Sequence, residues 1–319
     1  MKVAFLGDLH IGAGSNNKDI WANQYQFFQF QFLPYLEQNS DIKMVIQTGD
    51  FFDSRSAVPH VAMHNGQWVA EEIAKRVELH VLVGNHDIPF KNTNNFDSVD
   101  PIIGHIDGVQ VYQWPGDKNG IMIVPWISPG NTEQVMGAIA KTKAKYLVGH
   151  FDVIGGKFNK HDRKSEHGVD PNAFKKFDRV ISGHYHTKSR ISNIDFVGTP
   201  YELDWNDWDD PKGFHIFDTE TNELTFIHNY NNLFYKVVHT ETGVETIPDN
   251  PSGKFEGKFV KVESASQDRE QIRKVIDQVG VAANVQTILT KEKEVVTIED
   301  VSTKSVTQAL VEAAQKPIS

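Results

Sequence analysis

The sequence predicts an α/β fold with a ligand site at the carboxyl edge of its strands, on three observations. Five segments share one design: KVAFLGDLH, KMVIQTGDFFD, LHVLVGNHD, KYLVGHFD and RVISGHYH each run from apolar, β-branched residues into a glycine and then polar side chains. Near-continuous apolar runs of this kind read as strands buried on both faces. The connections between them are long enough for helices, so strands and helices alternate and the polar strand ends share one edge. After His186 the texture changes, and a smaller strand–helix pattern resumes near residue 255, which predicts a small second domain of α+β type.

Taken in order, the clearest helices are NQYQFFQFQFLPYLEQN (23–39) and VAMHNGQWVAEEIAKR (61–76). Pro34 leaves the end of the first open. DFVGTPYELDWNDWDDPKGFHIFD is turn-rich, and GFHIFDTETNELTFIHN reads as a strand–turn–strand hairpin. TGVETIPDNPSGKFEG reads as a linker. KFVKVES, DREQIRKVIDQV, NVQTILTK and SVTQALVEAAQ then read as strand, helix, strand and helix. The expected division is a first domain over 1–240, a linker over 241–254 and a small domain over 255–319.

The 319 residues include no cysteine, which rules out disulfides, zinc knuckles and thiol catalysis. Any metal must be held by nitrogen and oxygen. MKVAFLGDLH has an apolar run broken by Asp8 and His10, which is not expected to act as a signal peptide, and no apolar run reaches membrane-spanning length. An intracellular, cytoplasmic protein without a membrane partner is expected. The net charge of −10 argues against bulk electrostatic binding of nucleic acid. A phosphate-handling protein of this sign needs a local source of positive charge, and bound metal ions would be one.

The strand ends carry the chemistry. In extended backbone, side chains two apart share a face. His184 and His186 therefore point one way and Tyr185 the other. Two imidazoles aimed into one space suit a metal; for this motif alone, two solvated histidines fit as well. Asp8 and His10 repeat the spacing, Asp50 follows Gly49, Asn85 and His86 follow Gly84, and His150 follows Gly149. Each alone reads as an ordinary loop, but the ordered set, each member directly after a strand, reads as a site. The seven side chains Asp8, His10, Asp50, Asn85, His150, His184 and His186 are too many for one ion and natural for two. Asp50 is the expected bridge, through its two oxygens. Two ions about 3.5–4 Å apart activate a water and clamp both oxygens of an in-line displacement at phosphorus. Imidazole and carboxylate without sulfur favour manganese, with magnesium, iron and zinc compatible. The glycines let the backbone turn sharply and approach a bound phosphate.

DxH, GD, GNHD, GH and GHxH in this order resemble the signature of the calcineurin-like metallophosphoesterases. GDLHIG, GDFFDSR, VGTPYELDW and GFHIFD further resemble the SbcD-type subunits of DNA double-strand-break repair nucleases, particularly those of tailed phages. The likeness is close over residues 1–235 and loose beyond. It implies the metallophosphoesterase fold, two packed β-sheets flanked by helices, with a small C-terminal α+β capping domain. It implies that Asp8, His10, Asp50 and His186 hold one ion and Asp50, Asn85, His150 and His184 the other. His86 is not a ligand in that pattern but sits over the scissile phosphate, stabilising the transition state or protonating the leaving oxygen. Asp53 stands where some members carry histidine; it is expected to orient His86 or to cap the following turn.

The resemblance also implies an activity: 3′-to-5′ exonuclease on duplex ends and endonuclease on single strands or hairpins, in DNA recombination and break repair. The implied partners are DNA, a second copy of the chain as a homodimer, and an SMC-like ATPase of the SbcC type. The sequence has no GxxxxGK[ST], so ATP-dependent control would come from that partner. SVTQALVEAAQ is at most part of the helical pair that docks such partners. KFNKHDRK is the densest basic cluster, with Lys157, Lys160, Arg163 and Lys164. It reads as a solvated loop or as a phosphate-backbone contact, and Arg55 is a further candidate DNA contact. Trp205 and Trp208 read as core packing or as stacking platforms for an unpaired base. His60, His64, His80, His105, His161 and His167 are not expected as ligands.

Two other readings differ in class. A metallophosphatase or small-molecule phosphodiesterase would keep the metal site. Phosphatases of the superfamily place Arg directly after the Asp of GDxxD and end the third motif GNHE, whereas here Ser54 precedes Arg55 and Asp87 ends the motif. A non-catalytic scaffold would lose ligands, and here every position is filled.

Overall fold

The computed structural model describes residues 1–157, 164–240, 243–250, 254–264, 269–279, 284–291 and 294–297. The chain divides into two compact units, Met1–Asn231 and Asn232–Ser319.

In the first unit the apolar runs become strands β1 (Lys2–Leu6), β2 (Ile42–Gln47), β3 (Glu78–Leu82), β4 (Val109–Tyr112), β5 (Gly116–Lys118), β6 (Ile121–Val124), β7 (Tyr146–His150) and β8 (Arg179–Gly183). They are followed by β9 (Ser189–Ile191), β10 (Ile194–Phe196), β11 (Gly213–Asp218) and β12 (Glu223–His228). Two six-stranded sheets result, ordered β12-β11-β1-β2-β3-β4 and β5-β6-β7-β8-β10-β9. In the first, β1 to β4 run parallel, and β11 lies antiparallel to β1. In the second, β6, β7, β8 and β10 run parallel. The sheets pack face to face: Val3, Phe5, Met44, Ile46 and Leu82 of the first meet Ile123, Val148 and Ile181 of the second in one buried cluster. Being sandwiched, these strands are apolar on both faces, which is why their sequences run nearly unbroken rather than alternating.

The helices are α1 (Lys18–Phe27), α2 (Leu33–Gln38), α3 (His60–Ala74), α4 (Val99–Ile103) and α5 (Thr132–Lys141). The Asn17 side chain caps α1, accepting from the N–H groups of Asp19 and Ile20. The chain passes from α1 to α2 through a π-helical stretch, Phe28–Phe32, so Pro34 falls in the first turn of α2. The wider turn absorbs the missing N–H and the helical path continues to Gln38. Val135 and Ile139 of α5 cover the outer face of the second sheet against Leu147 and Val180. The expected hairpin at 213–229 forms as β11 and β12 and extends the first sheet beside β1.

The second unit differs from expectation at its start. Its strands are β13 (Phe234–Thr240), β14 (Gly243–Ile247), β15 (Phe259–Ser264), β16 (Asn284–Lys291) and β17 (Glu294–Thr297), with α6 (Arg269–Val279) between β15 and β16. They form one sheet, β14-β13-β15-β16-β17. β13 pairs in parallel with β15, so residues 232–240 belong to this unit and not to the first. Part of the expected linker over 241–254 is likewise a strand: Gly243–Ile247 pairs antiparallel with β13. The turn-forming residues mark the ends of that short strand rather than a plain connection. The helix expected at 305–315 lies outside the described residues. No helix among the described residues is long and apolar enough to cross a membrane.

Candidate metal centre

The strand-end side chains of both sheets meet. Potential ligand atoms of Asp8, His10 and His186 lie within 4.8 Å of one another, as do those of His10, Asp50 and His86, and those of Asp50, His150 and His184. Asp50 joins two of these groups, with one carboxylate oxygen 3.3 Å from His150 Nε2 and 3.8 Å from His10 Nε2. Asn85 Oδ1 stands 2.9 Å from His150 Nε2 and 2.8 Å from His184 Nδ1. His186 Nε2 faces His10 Nε2 at 3.2 Å. The structure thus brings together all seven side chains singled out as ligands, with His86 beside them.

The route to this convergence departs from the sequence argument. β8 ends at Gly183, before the histidines, and His184 has φ 87°, in the left-handed region. His184 and His186 come together across a turn, not along an extended strand. His10 (φ 45°) and Asp50 (φ 54°) are left-handed as well. Non-glycine residues hold such backbone only where surrounding contacts enforce it, and they concentrate at functional sites.

Those contacts are on hand. Asp8 accepts from the His184 N–H, at 3.1 and 3.0 Å to its two oxygens. His150 Nδ1 is 2.8 Å from the Thr48 carbonyl oxygen. The buried Asp87 carboxylate accepts from the backbone N–H groups of Gly84, Phe51 and Phe52 at 2.8, 3.2 and 3.0 Å. Asp87 thereby ties the loop after β3 to the loop after β2. Neither Thr48 nor Asp87 stands out in the sequence as a site residue; the GNHD motif contains the signal for Asp87. Three strand-end glycines make room for ligand side chains: a Cβ would stand 2.4 Å from His150 Nδ1 on Gly49, 2.3 Å from Asp50 Oδ1 on Gly84 and 2.5 Å from Asp8 Oδ1 on Gly183.

Residues 1–188 match the calcineurin-like phosphoesterase family. The chain belongs to that family. It is similar to exonuclease subunit 1 of Enterobacteria phage T4, 34% identical over 244 residues that cover 75% of this chain and 70% of that protein. It is also similar to a subunit of the SbcCD nuclease of Staphylococcus epidermidis, 25% identical over 256 residues covering 70% of this chain and 67% of that one.

The donor set of this metallophosphoesterase fits metal ions. Imidazole, carboxylate and amide oxygen converge with nitrogen facing nitrogen, and sulfur is absent. The electrostatics agree. Burial alone would lower His10 and His150, but Asp53, Asp50 and Asp8 around the first, and Asp50 and Asp8 around the second, raise both to about 9. Burial and His150 push His184 down to about 3, and burial and His10 push His186 down to about 4, which leaves both neutral, as a ligand must be. Burial raises Asp8 to about 6. It works the same way on Asp50, but His150, His10 and His86 outweigh it and hold that carboxyl well below its ordinary value. The carboxylates that raise His10 and His150 would favour a cation held between these residues in the same way.

His86 is positioned from both ends. Its backbone N–H donates to Asp50 Oδ1 at 2.7 Å, and its Nδ1 lies 2.7 Å from the Asp53 carbonyl oxygen. A carbonyl only accepts, so Nδ1 carries the proton. It is thus the Asp53 backbone that meets the His86 ring, while the Asp53 carboxylate turns to His10, 3.2 Å from Nδ1. A cavity of about 340 Å³ opens beside Asp53, lined also by Ile11, Asn16, Phe52 and Pro59.

Of the basic candidates, Arg55 is half-buried and near enough to help lower His86. Lys157 and Lys164 pair across an antiparallel bridge, while Lys160 and Arg163 lie outside the described residues, as does His161. The residues leading into this bridge are fixed to the His184–His186 turn: a Cβ on Gly156 would meet the Tyr185 ring at 2.0 Å, and the Tyr185 hydroxyl donates to Asp152 Oδ1 at 2.6 Å. Trp205 and Trp208 are half-buried. His60, His64, His105 and His167 are exposed, and His80 is buried with its Nδ1 3.0 Å from the Tyr112 hydroxyl. None of them joins the ligating groups found among the described residues.

Proposed function

We propose that this metallophosphoesterase is a dinuclear-metal DNA nuclease, a 3′-to-5′ exonuclease on duplex ends and an endonuclease on single strands. In this reading Asp8, His10, Asp50 and His186 hold one ion, and Asp50, Asn85, His150 and His184 the other, with manganese the preferred metal. The observation that carries it is Asp50, whose carboxylate belongs to ligating groups on both sides of the site. The similarity to a phage exonuclease subunit and to an SbcCD nuclease subunit supports DNA as substrate, against the phosphatase reading. The bridge between Lys157 and Lys164 beside Tyr185 supports a backbone contact through the basic segment, with Lys157, Lys160, Arg163 and Lys164 as the contacts and Arg55 nearer His86. That both relatives are subunits supports a partner subunit; the motif resemblance to SbcD-type nucleases extends the proposal to a role in recombination and break repair, a homodimer, an SbcC-type ATPase partner, and DNA capping by the second unit.

Bound divalent ions supply an activated water and neutralise charge at phosphorus. The chain's own residues orient and move the proton. In hydrolysis a water oxygen bonds to phosphorus, the bond from phosphorus to the 3′ oxygen breaks, and that oxygen takes up a proton. With Nδ1 committed to Asp53, His86 exchanges protons at Nε2. Burial lowers its pKa, so a proton taken there is readily given up to the leaving oxygen.

The test is a nuclease assay on duplex ends and single strands, with manganese or magnesium, comparing wild type, Asp50→Ala and His86→Ser. Asp50→Ala should lose metal and activity together. His86→Ser should keep the metal and lose turnover by about 10²–10⁴-fold. Preference for phosphomonoesters over DNA would overturn the nuclease reading, and a His86→Ser protein that cuts at the normal rate would remove His86 from the chemistry.

A further inference from the structure

Between β10 and β11 lies a buried ion cluster that takes no direct part in the ligand set. The Lys212 ammonium donates to Asp207 Oδ1 at 2.7 Å, to Asp210 Oδ2 at 2.8 Å and to the His186 carbonyl oxygen at 2.9 Å. The side chains of Lys212 and Asp207 are each 4% exposed and that of Asp210 8%. An ammonium has three N–H donors, and here three acceptors meet them. Asp207 is itself fixed, its other oxygen accepting from the Leu203 N–H at 2.9 Å. Asp210 is fixed by the Thr187 hydroxyl at 3.1 Å.

The His186 carbonyl is thus gripped from the Lys212 side, and the Thr199 N–H grips it from another at 3.1 Å. Gly198 packs so closely here that a Cβ on it would stand 2.9 Å from the same oxygen. A buried ion pair is weak evidence for stability, since apolar residues of similar volume serve as well or better. What they cannot do is donate to a carbonyl. Two carboxylates against one ammonium also leave a net negative charge beside a ligand, which favours a cation on it.

We propose that Lys212, set by Asp207 and Asp210, is a positioning residue that holds His186 in place as a ligand for one of the two ions. The inference rests on the dinuclear reading above. Removing the ammonium frees the His186 backbone to drift and weakens only the ion that His186 holds.

Manganese titrated into metal-depleted protein by calorimetry tests this, with circular dichroism confirming the fold. Wild type should take up two ions. Lys212→Met should keep one at wild-type affinity and bind the other at least about tenfold more weakly, equivalent to about 1.4 kcal/mol. Because Lys212→Met strands two buried carboxylates, the triple variant Asp207→Asn, Asp210→Asn, Lys212→Met is measured beside it; it removes the charges together and should show the same selective loss. Val135→Ala, which loosens the core away from the site, should keep both ions. A folded Lys212 variant with two wild-type affinities, or an equal loss in Val135→Ala, overturns the positioning role. Fewer than two ions in wild type overturns the dinuclear reading itself, and this inference with it.

Discussion

Gly84 lies against Asp50 so closely that a Cβ on the glycine would stand 2.1 Å from the Asp50 nitrogen and 2.3 Å from its Oδ1. The two residues close the loops after β3 and β2, and the carboxylate they share space over is the one common to both sides of the site. Backbone cannot yield there as a flexible side chain would. Gly84→Ala is therefore expected to cost about 1–3 kcal/mol through overpacking and to displace Asp50. Denaturant unfolding should show the first effect and metal calorimetry the second. An alanine variant that takes up manganese as wild type does would mean the loops have more slack than the structure contains.

Asp87→Asn tests the brace behind the ligands. The carboxylate accepts three backbone N–H groups; an amide offers one oxygen and turns a donor toward at least one of them. The stranded N–H should lower stability by about 1–3 kcal/mol, read as a lower urea midpoint. Midpoints that coincide would show that the brace contributes nothing to folding.

Ions bound by the native fold alone must raise its stability by mass action. Manganese at a hundredfold excess over its dissociation constant should add about 2.7 kcal/mol, seen as a higher melting temperature that a chelator reverses. Asp50→Ala should melt at one temperature with or without the metal. Should the variant respond as wild type does, the ions bind elsewhere.

Acid stability should depend in part on His215, which lies on β11 opposite Phe5 and is not among the ligating groups of the described residues. Burial, with Lys188 adding to it, pushes this imidazole from 6.5 down to about 3. Between those values the unfolded chain binds a proton that the folded chain refuses, so stability falls as pH drops below 6.5. From pH 7 to 5 the loss from this group is about 2 kcal/mol. His215→Phe should flatten the acid limb by that amount, measured from urea midpoints at pH 7 and pH 5. An unchanged limb would assign the acid sensitivity to other groups.

The strands are legible in the sequence because sandwiching between sheets leaves an unbroken apolar run, and the ligands because each follows such a run. The left-handed backbone of His10, Asp50 and His184 is not legible: Asp and His enter that region more readily than most side chains, but it stays uncommon even for them, and contacts from distant loops fix it here. The partner of the Asp53 carboxylate is hidden as well, because no sequence pattern links it to His10 in a separate loop. Lys212 sits in a turn-rich, acidic stretch with no motif to mark it, and only the fold shows it buried. Turn residues flanking GVETI conceal a strand of the second unit.

Asp8, His10, Asp50, Asn85 and His86 all precede β4, whereas His150, His184 and His186 arrive with the second sheet, and β11 and β12 complete the first sheet only after residue 212. While the chain is being synthesised, then, no ion can be captured in the final geometry until nearly all of the first unit has left the ribosome. A metal held by these residues would therefore be a late seal on a fold already drawn together by its apolar strands.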